Sequence, residues 1–355
     1  MKGTHVRKYH FVLAQAMDVE ARRREAVAGD APRHFFLALA ERMGAAIHAP
    51  EKLLSEPVKR NLVHKILNTS DPFIALAEQV AAACGEEDVI FCLGEAVALP
   101  IAYALRRRGK KTRLASFGHN LQRPRVRAAA LLAGVVDRVD LFFVFTQEAV
   151  QNPQKFRLYT EQTDDAFFCA KAGPLTAARK DASRPLLVSV GLEMRDNFTL
   201  AEATRDLAVD VSITAFSKDA APTGRAVPDP LPNNMTSRFY AWRELVDLYT
   251  AADIVVVPLC PTTYAAGITS ILEAAATGKP IIATRTQALR DAFAAPDSVC
   301  WVPPEDPKAL RQAVLALMAE PERRADMAAR AARAQKAHHS FQPALEEMMV
   351  QLEAL

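Results

Sequence analysis

Short apolar runs rich in β-branched residues recur along the chain, each followed by a polar turn and an amphipathic helical pattern. That alternation predicts parallel βαβ units, because a strand covered on both faces by helices needs an apolar side chain at nearly every position. In the first half it predicts strands at His10–Ala14, Ala45–His48, Asp88–Leu93, Arg113–Phe117 and Leu141–Phe145, with helices including Pro32–Met43 and Leu99–Arg108. The pattern breaks at Lys171–Arg184, where turn and charge signals suggest a linker. It resumes with strands at Pro185–Val190, Val209–Ala215, Ile254–Pro258, Ile281–Ala283 and Val299–Val302. Pro222–Asn234 reads as a long surface loop before a helix at Arg243–Ala251, and the chain is mostly helical from Asp306 onward.

The same grammar in both halves predicts two Rossmann-like α/β domains facing a cleft. The expected divisions are 1–172, 185–338 and a terminal helical segment, 339–355, whose helix Pro343–Leu355 returns to the first domain. At 355 residues the chain is too long for one ordinary core.

Composition narrows the class. Half the residues are hydrophobic and 24% are charged, which excludes a disordered scaffold. A net charge of +3 gives no uniform basic surface for nucleic acid. Cys84, Cys92, Cys169, Cys260 and Cys300 lie far apart with no C-x-x-C spacing and read as reduced core thiols, with no zinc site. Phe11–Ala16 is too short for a signal segment, and no apolar run reaches the roughly eighteen residues of a membrane span. A cytoplasmic location follows, with attachment at a membrane surface left open.

The segment Asp253–Thr284, DIVVVPLCPTTYAAGITSILEAAATGKPIIAT, carries the main chemical signal. A strand ends at Pro258, a loop follows, and Gly267-Ile268-Thr269-Ser270 opens an alanine-rich helix. Unpaired N–H groups in a first helical turn suit an anion such as a diphosphate. Gly267 permits close approach. Glu273, one turn inside, could accept two ribose hydroxyls; alternatively, Ser270-Ile-Leu-Glu273 is a capping box in which Glu273 only returns to the backbone.

The chain resembles the retaining family 4 glycosyltransferases, the group 1 glycosyl transferases of the GT-B fold. The matching segments are Leu187–Gly191 followed by Arg195, Leu248-Tyr249 through Pro258, GITSILEAAATGKPIIAT, and Val302–Leu310. The resemblance implies a nucleotide-sugar donor, with Glu273 on the ribose and Gly267, Ile268, Thr269, Ser270 and Arg195 on the donor diphosphate and sugar. The alternative for Arg195 is a surface arginine in a turn. The first carboxylate of the family's E-x7-E pair falls at Ala265, so either another group recognises the donor sugar, or the loop is offset, or the enzyme is weak or inactive.

In the first half, Arg113–Phe117 runs into Gly118-His119-Asn120, placing His119 at the carboxyl end of a strand. By the resemblance, His119 is the candidate catalytic residue near the reacting sugar and acceptor; its alternative is a structural histidine. Gly94 and Glu95 follow the preceding strand in the same way and are expected on the acceptor side. The basic runs Arg106–Arg113 and Arg123–Arg127 read as solvated helix ends or as a face for an anionic membrane. With no Asp-x-Asp, Walker loop or H-E-x-x-H, the expected reaction is metal-independent and cofactor-free, moving a sugar to a glycan, lipid or small-molecule acceptor. A nucleotide-sugar epimerase and a silent sugar-nucleotide-binding partner subunit are the rival readings.

Overall fold

The computed structural model of the protein describes residues 7–51, 57–119, 121, 126, 128, 130–131, 133–145, 150, 152–169, 183–214, 223–225 and 228–355. These form two compact units. The first takes the described residues of 1–24, 33–159 and 342–355, and the second those of 25–32 and 160–341.

The first unit is built on β1 (Tyr9–Val12), β2 (Ala46–His48), β3 (Val89–Cys92), β4 (Arg113–Gly118), β5 (Leu141–Val144) and β6 (Phe156–Leu158). They form one parallel sheet in the order β2-β1-β3-β4-β5-β6. β3 and β5 are buried along their whole length, which their sequences VIFC and LFFV allow. Phe11, Phe36, Phe91 and Phe143 fill one face with ring centroids 4.9–5.6 Å apart. The helices Phe35–Arg42, Asp71–Ala83 and Glu95–Arg107 lie between the strands in sequence, and the Phe341–Glu353 helix closes the chain.

The second unit contains β7 (Leu186–Ser189), β8 (Arg195–Asp196), β9 (Asp210–Thr214), β10 (Gly224–Arg225), β11 (Met235–Arg238), β12 (Ile254–Val257), β13 (Ile281–Thr284) and β14 (Val299–Val302). Its main sheet runs β11-β9-β7-β12-β13-β14, all parallel. β7 and β12 are neighbours, with Ile254 opposite Leu187 and Val255 opposite Val188. Chain order reverses between them, which makes their carboxyl ends the topological switch point where open α/β sheets receive ligands. The Trp242–Ala251, Ile268–Ala276, Pro307–Ala319 and Pro321–His338 helices belong to this unit.

Several local expectations change. The surface loop expected at Pro222–Asn234 contains β10, which pairs in parallel with β8 in a separate two-stranded sheet; residues 222 and 226–227 lie outside the described residues. β11, MTSR, carries too many polar positions to read as a strand, and β6, FRL, is only three residues long; both sit at sheet edges, where one-sided pairing tolerates such strands. The helix expected from Leu99 begins at Glu95, so Pro100 lies inside it and removes one ladder bond. The cysteines are free, but Cys169 is exposed and Cys300 half-buried rather than core residues. Cys169 ends the short Asp165–Phe168 helix, and its Sγ donates to the carbonyl of Ala276. The expected linker residues 171–182 lie outside the described residues.

Candidate functional site

In the second unit, the chain leaves β7 through Val190 and Gly191, and Gly191 adopts φ 103°. A Cβ there would collide with the Arg195 guanidinium, so glycine is required both for the turn and for the space. Met194 at φ 53° separates exposed Glu193 from buried Arg195. Arg195 is 4% exposed, which rules out the surface arginine that the sequence left open. Its Nε and Nη2 donate to the Val190 carbonyl at 3.1 and 2.8 Å, Nη2 also donates to Ser270 Oγ at 2.8 Å, and Nη1 donates to the Glu193 carbonyl at 3.0 Å. One Nη1 hydrogen remains of the five a guanidinium carries. Burial lowers the Arg195 pKa, but guanidinium stays charged in proteins.

On the neighbouring strand, the chain leaves β12 and reaches Gly267, which caps the Ile268–Ala276 helix at φ 86°. A Cβ at Gly267 would lie 2.7 Å from Val257 Cγ1 and 3.5 Å from Arg195 Nη1. The helix start is therefore held against the arginine with no room for a side chain. The Ile268 N–H is taken by the Ala265 carbonyl at 3.2 Å, and Ile268 itself is buried, so this residue contributes packing rather than a free donor. The N–H groups of Gly267, Thr269 and Ser270 have no acceptor among the described residues. Thr269 is exposed, whereas Ser270 is buried and donates through Oγ to the Val190 carbonyl at 3.0 Å. Arg195, Gly267 and Ser270 thus converge at the β7–β12 switch point.

Because Gly267 is the cap, Ser270 lies inside the first turn and the capping box does not form. Glu273 is instead 6% exposed, and its Oε2 accepts the Tyr249 hydroxyl at 2.7 Å. Oε1 has no hydrogen-bond partner among the described residues. Burial raises the Glu273 pKa to about 7, against the opposing pull of the Tyr249 hydrogen bond and the Arg195 charge. Ala265 is half-buried beside Tyr264, whose hydroxyl donates to Glu193 Oε1 at 2.7 Å. Sequence reasoning did not single out Tyr249, Tyr264 or Glu193 as site residues, although Leu248-Tyr249 lies within the matching segments.

In the first unit, the structure brings His119, Gly94 and Glu95 together. β4 ends at Gly118, and the His119 N–H donates to Glu95 Oε2 at 3.0 Å. His119 Nε2 lies 3.2 Å from the Leu93 carbonyl. A carbonyl only accepts, so Nε2 carries a proton, and in the neutral ring Nδ1 is the acceptor. The ring stacks on Phe145, centroids 4.5 Å apart and planes at 19°, yet the residue is exposed. Gly94 brings the backbone beneath it: a Cβ there would stand 3.5 Å from His119 Cδ2. Asn120 lies outside the described residues.

Most of the basic run Arg106–Arg113 is hydrogen-bonded in place, with two carboxylates, Glu78 and Asp140, paired to it. Arg107 and Arg108 pair with Glu78, Arg113 pairs with Asp140 at 2.9 Å, Arg106 donates to the Gly134 carbonyl, and Lys110 Nζ donates to the Cys84 carbonyl at 2.5 Å. Arg123, Arg125 and Arg127 lie outside the described residues. Among the described residues no group of three or more His, Cys, Asp or Glu could hold a metal ion, and no helix is long and apolar enough to cross a membrane.

Residues 224–320, which include Gly267–Ser270 and Glu273, match the family model described as glycosyl transferases group 1. Over that segment the chain is similar to the group 1 glycosyl transferases. No curated protein sequence matches the chain significantly. Among solved structures, the chain is similar to sucrose-phosphate synthase from Thermosynechococcus elongatus, at 16% identity with 98% of each chain covered and a TM-score of 0.68. It is also similar to a glycosyltransferase from Rickettsia africae ESF-5, at 11% identity with 98% of each chain covered and a TM-score of 0.65. Anabaena HepE, solved in complex with UDP-glucose, matches at 15% identity over 98% of this chain and 100% of its own, with a TM-score of 0.68. By segment the chain is similar to the group 1 glycosyl transferases, and its fold is that of the GT-B proteins, the resemblance that the motifs from Leu187 to Leu310 carried. The matched segment contains every donor-side residue expected from the sequence except Arg195, which precedes it.

Proposed function

We propose that this chain transfers a sugar from a nucleoside-diphosphate donor to an acceptor hydroxyl, with retention at the anomeric carbon and without a metal ion. The observation that carries the reading is the convergence of Arg195 with the Gly267–Ser270 helix start at the β7–β12 switch point. The free N–H groups and the positive helix end supply fixed partial charge where a departing diphosphate develops negative charge. Arg195 adds a full positive charge beneath them. Because its guanidinium is already bound to Val190, Glu193 and Ser270, it reorganises little when the donor arrives. Oε1 of Glu273 accepts a ribose hydroxyl, while Tyr249 fixes the other oxygen. His119, with Nδ1 as an acceptor, positions the donor sugar or the acceptor, and Glu95 and Gly94 set its place. The complex of HepE with UDP-glucose supports a nucleotide-sugar donor by analogy of fold.

The Arg106–Arg113 run keeps an excess of positive charge over its partners Glu78 and Asp140, so contact with an anionic membrane surface stays part of this reading, and the acceptor class stays a glycan, lipid or small molecule. The test is thermal stabilisation by UDP, GDP and ADP and their glucose conjugates, comparing the intact protein with Glu273→Ala. Stabilisation by one nucleotide class that disappears in the variant is expected. Stabilisation by none of them would remove the donor site. Binding without turnover on any acceptor of the three classes would favour the silent partner subunit.

A further inference from the structure

The family's sugar-contacting carboxylate is replaced by Ala265, and yet the tyrosine immediately before that position holds a carboxylate from another loop. Glu193, on the loop after β7, is held by the hydroxyl of Tyr264, the residue immediately before Ala265, at 2.7 Å. The tie spans two loops of the switch point, those after β7 and β12. Glu193 is exposed, and its Oε2 has no hydrogen-bond partner among the described residues. Its backbone carbonyl accepts from Arg195 Nη1 at 3.0 Å, so the carboxylate and the buried guanidinium are set by the same turn.

We propose that Glu193 replaces the missing carboxylate and binds hydroxyls of the donor sugar through Oε2. This rests on the nucleotide-sugar reading of the site and adds the group that recognises the sugar. The chemistry divides the site by sign. Arg195 and the free N–H groups are donors and positive, and they suit the diphosphate. Glu193 is an acceptor and negative, so it repels the diphosphate and suits hydroxyl donors at the sugar end. Tyr264 leaves Oε2 as the free oxygen and restricts the side chain's rotamers, which lowers the entropy lost on binding. The role is recognition and positioning. No bond is made or broken at Glu193.

The experiment measures dissociation constants of UDP, GDP and ADP and of UDP-, GDP- and ADP-glucose by calorimetry, for the intact protein, Glu193→Gln and Tyr264→Phe. In Glu193→Gln the glucose conjugate of the preferred nucleotide should bind about tenfold or more weakly, since a hydrogen bond to a charged acceptor is lost. The bare diphosphate should bind equally or slightly more tightly, because a repulsive charge has gone. A merely structural role for Glu193 would move both constants in the same direction. Tyr264→Phe should give the same pattern with a smaller loss for the conjugate, and its diphosphate affinity reports whether the loops remain intact. If the intact protein binds a diphosphate but neither variant changes the ratio between conjugate and diphosphate, Glu193 does not contact the sugar. If the intact protein binds none of the diphosphates, the nucleotide-sugar reading fails and this assignment fails with it.

Discussion

The switch point of the second unit and the His119 cluster of the first are built on opposite plans. At the switch point the polar groups are buried and tied to one another: Arg195 is 4% exposed, Glu273 6% and Ser270 4%, and each has a protein hydrogen-bond partner. In the first unit His119 is exposed, stacks on Phe145 and is fixed by its own backbone through Glu95. A site that neutralises a diphosphate gains from fixed, desolvated charge, whereas a group beside a reacting sugar must stay reachable. The consequence is a difference in what substitution should do. Changes at the switch point should cost stability and binding together, and changes at His119 should cost turnover alone.

The largest effect is expected from Arg195→Met. It removes the buried guanidinium from Ser270 Oγ, from the Glu193 carbonyl and from the Val190 carbonyl, which keeps the Ser270 hydroxyl alone, and should cost about 3–5 kcal/mol, measured by urea unfolding. A loss below about 1 kcal/mol would mean that the guanidinium is not an integral part of the fold. Next is the pH dependence of Glu273. Its pKa is raised from the ordinary 4.5 to about 7 in the folded state. Its stabilising contribution is therefore fully present below about pH 4.5, declines as pH rises, and is lost once pH passes through 7. The upward shift corresponds to about 3 kcal/mol, so Glu273→Gln should gain roughly that much relative to the intact protein between pH 4.5 and pH 8. Parallel stability profiles for the two proteins would contradict a raised carboxyl.

Gly267→Ala should cost about 1–3 kcal/mol, since a Cβ at φ 86° also meets Val257. Nucleotide binding should weaken with it, because the helix start must shift. His119→Ala should change stability by less than about 1 kcal/mol and yet reduce transfer about 100-fold or more, read in a donor-consumption assay. A large stability loss at His119 would erase the contrast and favour the structural histidine.

Much of this was legible in the sequence because the signals were local. VIFC, LFFV and IVVV are apolar at every position and LLVS at its first three, and all four become buried parallel strands. The turn from β12 into the Gly267 helix was readable for the same reason, since glycine followed by a helical run is a short-range feature. The edge strands β6 and β11 were not, because their pairing depends on neighbours remote in sequence. The partners within the site were hidden for that reason too: Tyr249 meets Glu273 across 24 positions, Arg195 meets Ser270 across 75, and Glu193 meets Tyr264 across 71. No spacing rule reaches that far. The capping-box alternative for Glu273 could be removed only by knowing that Gly267, and not Ser270, begins the helix.

The most direct test of the account is backbone amide hydrogen exchange at Gly267, Thr269 and Ser270, with and without the nucleoside diphosphate that most raises the melting temperature. If these N–H groups hold the diphosphate, their exchange should slow on binding, while the Phe145 and His119 amides of the first unit should be unaffected by the bare diphosphate. Binding that leaves Gly267, Thr269 and Ser270 unchanged would contradict the account, because the donor would then sit elsewhere than the helix start that Arg195 and Ser270 hold in place.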